Sequence, residues 1–129
     1  MNLQVIQQII FNIRGQRVIL DLNLAQLYKV ETRALKQAVK RNIDRFPSDF
    51  MFELTKDEWK ELITNCDNLP DAVKFSPALP FAFTEQGVAM LSTVLRSERA
   101  IKVNIEIMRA FVILRKMALQ YGELWQKIN

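Results

Sequence analysis

Histidine is absent from the 129 residues, and with it the commonest general base and metal ligand. Cysteine occurs once, at Cys66, so no internal disulfide can form and a lone thiol cannot build a zinc site. A reducing, cytoplasmic setting is expected on that ground. The N-terminus lacks the basic start and apolar core of a signal peptide, and no run of about 18 uninterrupted apolar residues exists, so no membrane partner is expected. Paired carboxylates could be sought in Glu85 and Glu98, but no base, metal cluster or phosphate-cradling loop accompanies them. The expectation is a non-enzymatic chain with no catalytic residues, metal, cofactor or small-molecule substrate.

Half of the residues are apolar, enough for the core of one domain. The net charge of +4 is too small to mark a nucleic-acid binder by itself, and its distribution says more. From Lys29 to Arg45, six basic residues (Lys29, Arg33, Lys36, Lys40, Arg41, Arg45) face two acids, Glu31 and Asp44. From Glu53 to Asp71 the balance reverses, with Lys56 and Lys60 against six acids. Such segregation gives the molecule one face for an anionic partner.

The patterning predicts an α+β fold: an N-terminal β-hairpin, a helix-turn-helix-like pair, short strands, and two or three further helices including a long C-terminal one. Ile9, Phe11 and Ile13 alternate with polar and apolar neighbours, Arg14-Gly15-Gln16 interrupts, and Val18 to Leu20 resumes the run, which reads as the hairpin. Asn23 with Gln26 reads as a capping box opening a short helix that buries Leu24, Leu27 and Tyr28, with Lys29 and Val30 in the turn. Thr32 reads as the N-cap of a second helix ending near Asn42 in a left-handed residue. Phe50, Phe52 and Leu54 suggest a strand with one buried face. Thr55 with Glu58 is a second capping box, and Trp59, Leu62, Ile63 and Cys66 make one apolar stripe behind it. The stretch 67–80, with Pro70, Pro77 and Pro80, reads as a loop. Phe81–Phe83 reads as a short strand, Thr84 as the cap of a helix over 85–95, and Ser97 as the cap of a helix from Glu98 to about Leu119. The domain is drawn over 1–119, with 120–129 the start of a C-terminal extension.

At about 100° per residue, Arg33, Lys36, Gln37 and Lys40 fall on one arc of the second helix, Arg41 lies at its edge, and Leu35, Ala38, Val39 and Asn42 fall opposite. Three cations and an amide facing outward together are the equipment of a recognition helix. Arg and Lys pair with guanine edges or phosphates, Gln37 with adenine, and Thr32 stands where a phosphate meets the first-turn amides. The hairpin would act as a wing reaching the backbone through Arg14 and Arg17. Double-stranded DNA is therefore the expected partner, through Thr32, Arg33, Lys36, Gln37, Lys40, Arg41, Arg14 and Arg17. The bland alternative is that these charges only solvate a surface helix.

Several blocks resemble a known family: Ile13-Arg14-Gly15-Gln16-Arg17-Val18, Leu24-Ala25-Gln26-Leu27-Tyr28, Val39-Lys40-Arg41-Asn42 with Arg45-Phe46-Pro47 and Asp49-Phe50-Met51-Phe52, and Ala82-Phe83-Thr84-Glu85-Gln86-Gly87-Val88-Ala89-Met90-Leu91 through Ser97-Glu98-Arg99-Ala100 to Met108-Arg109-Ala110-Phe111. In this order, over about Val5 to Met117, they are similar to the ORF-6 N-terminal domain of the KilA-N and Bro-N group. The resemblance implies a DNA-binding module of phage- or prophage-type regulators, often joined to an antirepressor part, and no enzymatic activity. Many relatives carry glycine where Lys29 stands, and a basic, glycine-containing stretch where this chain has Asp67, Pro70, Asp71 and Pro77.

Thr84-Glu85-Gln86-Gly87 belongs to that resemblance, yet a Thr cap with acidic and amide residues in the first turn already accounts for it structurally, with Gly87 allowing another backbone close by. Trp59 and Cys66 read as core. The last helix is apolar over well over half its circumference: Ile101, Ile105, Met108, Phe111, Val112, Leu114 and Leu119 leave a polar arc of Lys102, Glu106, Arg109 and Lys116. One core rarely needs so wide a face, so a homodimer through helix 98–119 is expected. The alternative function is a protein-interaction module, antirepressor or dimerisation, that uses this helix without touching DNA. Tyr121, Leu124, Trp125 and Ile128 continue the apolar pattern.

Overall fold

The computed structural model describes residues 3–65 and 78–128. Cys66 and most of the expected loop, 67–77, lie outside the described residues. The chain order is α1 (Leu3–Gln8), β1 (Ile10–Ile13), β2 (Gln16–Leu20), α2 (Asp21–Tyr28), α3 (Thr32–Arg41), a 3-10 turn (Ile43–Arg45), β3 (Met51–Glu53), α4 (Lys56–Asn65), β4 (Phe81–Phe83), α5 (Glu85–Leu91) and α6 (Glu98–Ile128). The α+β expectation holds.

Four antiparallel strands form one sheet in the order β1-β2-β4-β3. Strand alternation sends Ile19, Met51, Phe81 and Phe83 to one face, where Leu24, Tyr28, Leu35, Val39, Val88, Val103 and Ile107 complete the main core. Val18, Leu20, Phe52 and Ala82 point the other way onto Trp59, with Leu62 and Ile63 beside it. Helices α1, α2, α3, α5 and α6 thus contribute to one face, and α4 covers the other. The expected one-sided strand at 50–54 is corrected by this sandwich, because Met51 and Phe52 are both buried, one in each layer.

The hairpin turn is shorter than expected. Arg14 and Gly15 alone make it, with φ 56° and 73°, and Ile13 pairs with Gln16. Two successive left-handed residues give the turn whose twist matches the flanking strands. Helix α2 starts at Asp21, not after Asn23; Asn23 is buried inside the helix and caps nothing. The Asp21 carboxylate, favoured at the positive end of the helix dipole, supplies the start instead. Thr55 and Glu58 form the expected capping box, with the Glu58 amide donating to Thr55 Oγ1 at 3.1 Å and the Thr55 amide to Glu58 Oε1 at 2.8 Å. Thr84 and Ser97 also cap as expected, accepting from the Gly87 and Ala100 amides. Helix α5 stops at Leu91, short of 95, and α6 passes 119 without a break to Ile128. Helix α1 has no counterpart in the sequence reading. It is six residues long and exists to bury Ile6 against α6.

Lys29 closes α2 at φ 58°, ψ 46°, and the Val30 amide returns to the Ala25 carbonyl at 3.0 Å, a Schellman closure that glycine usually provides. A lysine there carries about 1 kcal/mol of left-handed strain. Lys29→Gly is accordingly expected to raise stability by about 0.5–1 kcal/mol, less the flexibility glycine adds to the unfolded chain. Urea denaturation checks this, and a lower midpoint for the variant would contradict the strain argument.

Candidate nucleic-acid interface

Leu35 and Val39 anchor α3 to the core, Ala38 is half-buried beside them, and α3 packs against α2. That anchoring decides which side chains can meet a partner. Arg33, Gln37 and Lys40 stand exposed at spacings i, i+4 and i+7, with Arg41 next to Lys40. None of these three cations pairs with another described residue. Arg33, Gln37 and Lys40, but not Arg41, border a cleft of about 550 Å³ whose wall includes Leu22, Trp59 and Pro80.

Lys36 is the correction. Its ammonium turns inward, donating to the Leu79 carbonyl at 2.8 Å, lying 3.4 Å from Asp21 Oδ2 and 5.0 Å from the centre of the Phe81 ring. Asp21 is almost wholly buried, and its carboxylate also accepts the Phe81 amide at 3.0 Å. Burial pushes its pKa above the ordinary carboxylate value, while the Phe81 amide and Lys36 pull it back. A buried carboxylate needs such company, so Lys36 belongs to the scaffold that joins α2, α3 and β4.

Thr32 is not the cap. It is the first residue of α3, half-buried, with Glu31 ahead of it making no side-chain cap bond. Asn42, expected in the left-handed region, has φ −123° and instead donates from Nδ2 to the Ala38 carbonyl at 2.8 Å.

The hairpin arginines are not gathered with α3. Arg14 is held by Glu58, Nε to Oε2 at 2.7 Å and Nη2 to Oε1 at 2.9 Å, and its guanidinium lies 4.2 Å from the Phe52 ring centre. The Arg14 hydrogen bond, backed by the Thr55 amide, holds the Glu58 carboxyl down at about 2. Arg17, half-buried, lines a separate cleft with Asn12, Gln16, Thr84 and Arg115. The hairpin is therefore tied to α4 instead of extending as a free wing. Glu85 is bonded by Arg115 and Glu98 lies 3.8 Å from Lys102, so each carboxylate has its own base. Among the described residues, no group of three or more metal-ligating side chains converges.

The block around Thr84 has a structural explanation. Its amide donates to the Phe50 carbonyl at 3.0 Å, and its hydroxyl donates to Asp49 O at 2.8 Å while accepting from the Gly87 amide. Gly87 sits so close to β3 that a Cβ would fall 1.9 Å from Phe50 O.

These placements coincide with the blocks that carry the family resemblance, and comparison with known families decides the matter: the sequence model of the ORF6N domain matches residues 8–94. The chain belongs to the ORF6N domain family. Nothing among curated proteins, and nothing among solved structures, matches it. In this ORF6N domain no helix of the described residues is long and apolar enough to cross a membrane. The matched span contains the hairpin, both helices of the α2–α3 pair and the whole sheet, while α6 lies outside it.

Proposed function

We propose that this ORF6N domain is a double-stranded DNA-binding unit of a phage- or prophage-type transcriptional regulator, and that α3 lies in the major groove. The observation that carries the reading is that Arg33, Lys40 and Arg41, on the exposed side of a helix whose other side is clamped by Leu35 and Val39, have no partner among the described residues. Elsewhere on the surface Arg109 and Arg115 are each taken up by a carboxylate of the chain itself. Gln37 lies between these cations and offers an amide suited to adenine, while the cations meet phosphates and guanine edges. Lys36 and Arg14 enter only by holding the helix and the hairpin in place. The reading involves no enzymatic chemistry.

Each protomer would neutralise about three phosphates through these cations, so affinity should fall roughly 40-fold between 50 and 200 mM salt. Fluorescence anisotropy of a labelled random duplex pool at the two concentrations measures it. No binding at low salt, or binding indifferent to salt, would remove DNA from the function.

The homodimer through helix 98–119 belongs to the same proposal, since paired reading heads multiply affinity on two half-sites. A second reading, protein capture without DNA, rests on the exposure of Ile101 and Ile105. Together with Met108 and Val112, and with Ala89 of α5, these line an apolar groove. Salt-tolerant association with protein and no duplex affinity is the result that favours it.

A further inference from the structure

Helix α6 carries one apolar seam of alternating three- and four-residue spacing along its whole length: Ala100, Val103, Ile107, Ala110, Leu114, Met117, Tyr121, Leu124 and position 128. This spacing lets a helix keep one face against a partner helix over many turns. The first four positions are sealed by the domain itself, with exposures of 1, 2, 0 and 0%. From Leu114 the domain falls away, and Met117, Tyr121 and Leu124 stand 54, 69 and 56% exposed on the same seam. The seam is thus half satisfied, and its uncovered half asks for a helix with matching spacing.

We infer that the uncovered half is covered by the same segment of a second copy, running antiparallel. The chain itself carries a seam of the required spacing, and a two-fold axis near residue 119 closes it on itself. Leu114 then meets Leu124 of the second copy, Met117 meets its Tyr121, and both pairs recur by symmetry, giving an interface that leaves no end open. Ala118 and Gln120 flank the seam at that axis, so no like charges oppose each other there. The domain bodies determine the direction. Each body occupies the seam side of α6 over residues 100–110, in contact through α1, α2 and α5. Two parallel helices would force both bodies into the same space between them. Antiparallel helices put the bodies at opposite ends, with the overlap confined to the segment each body leaves bare.

The inference rests on the homodimer part of the proposed function and makes it specific: the contact lies on Leu114–Leu124 and not on the outer groove of Ile101 and Ile105. Sedimentation at up to about 100 µM should show a dimer that Met117→Lys with Leu124→Lys converts to monomer and Ile105→Lys leaves intact. All three positions are exposed, and circular dichroism confirms that each variant folds. Direction is read from spin labels at Lys102→Cys in a Cys66→Ser background. An antiparallel pair separates the two labels by about 50 Å along the axis, whereas a parallel pair holds them within about 25 Å. A chain that stays monomeric overturns both this inference and the homodimer reading. A dimer broken by Ile105→Lys, or one with the short label distance, overturns only the seam or its direction, and the DNA reading survives either result.

Discussion

Arg33→Glu combined with Lys40→Glu is expected to weaken duplex binding by about 4 kcal/mol, on the order of a thousandfold, while leaving the urea midpoint nearly unchanged. Each substitution removes a cation that has no partner among the described residues and places a carboxylate where a phosphate would lie. Their exposure keeps the stability change within about 0.5 kcal/mol. Lys36→Glu is the instructive contrast, because it sets a second carboxylate beside a buried Asp21 and removes the donor to Leu79. Loss of binding in that variant would report unfolding and not recognition. Anisotropy with the folded double variant is therefore the decisive measurement, and unchanged affinity would exclude α3 from the interface.

Gly87→Ala is expected to be the most damaging single-methyl change in the described core. The new Cβ would lie 1.9 Å from the Phe50 oxygen and 2.9 Å from its carbonyl carbon, both backbone atoms that no rotamer change can move. The same Phe50 oxygen accepts the Thr84 amide, so displacing it also loosens the cap of α5. Relief requires separating α5 from β3, at a cost of about 4 kcal/mol or more, a large share of the roughly 5–15 kcal/mol that holds a domain together. A fall in melting temperature of about 15 °C or more should follow. A variant melting within two or three degrees of the parent, a margin of roughly 1 kcal/mol, would show that β3 and α5 are not so closely apposed.

Three capping signals were legible as they stand, whereas those at Asn23, Thr32 and Asn42 were not. Thr55 with Glu58, Thr84 and Ser97 each act within three residues of themselves, so their pattern is complete in the local sequence. The recognition stripe was legible in part. A helical projection places Lys36 on the arc of Arg33 and Lys40, but at its edge beside Leu35 and Val39. A long flexible stem at such an edge can swing either way, and the choice fell to Asp21, which is fifteen positions upstream, and to the Leu79 carbonyl, which is far downstream. The pairing of Arg14 is hidden from the sequence for the same reason, since its partner Glu58 arrives from α4. Asn23 looked like a cap because nothing local revealed that Asp21 would be buried at the helix start.

By itself the sequence determined the class of fold, the order of its elements from the hairpin onward, the family blocks and the amphipathic character of α3 and α6, because periodicity and caps are short-range properties of the chain. Only the tertiary structure decided which cations remain available, since that depends on whether a carboxylate or carbonyl from a distant segment reaches each of them first. It likewise decided where along α6 the apolar seam is covered. A repeating pattern shows that a helix needs a partner, and only packing shows where its own domain ceases to be one.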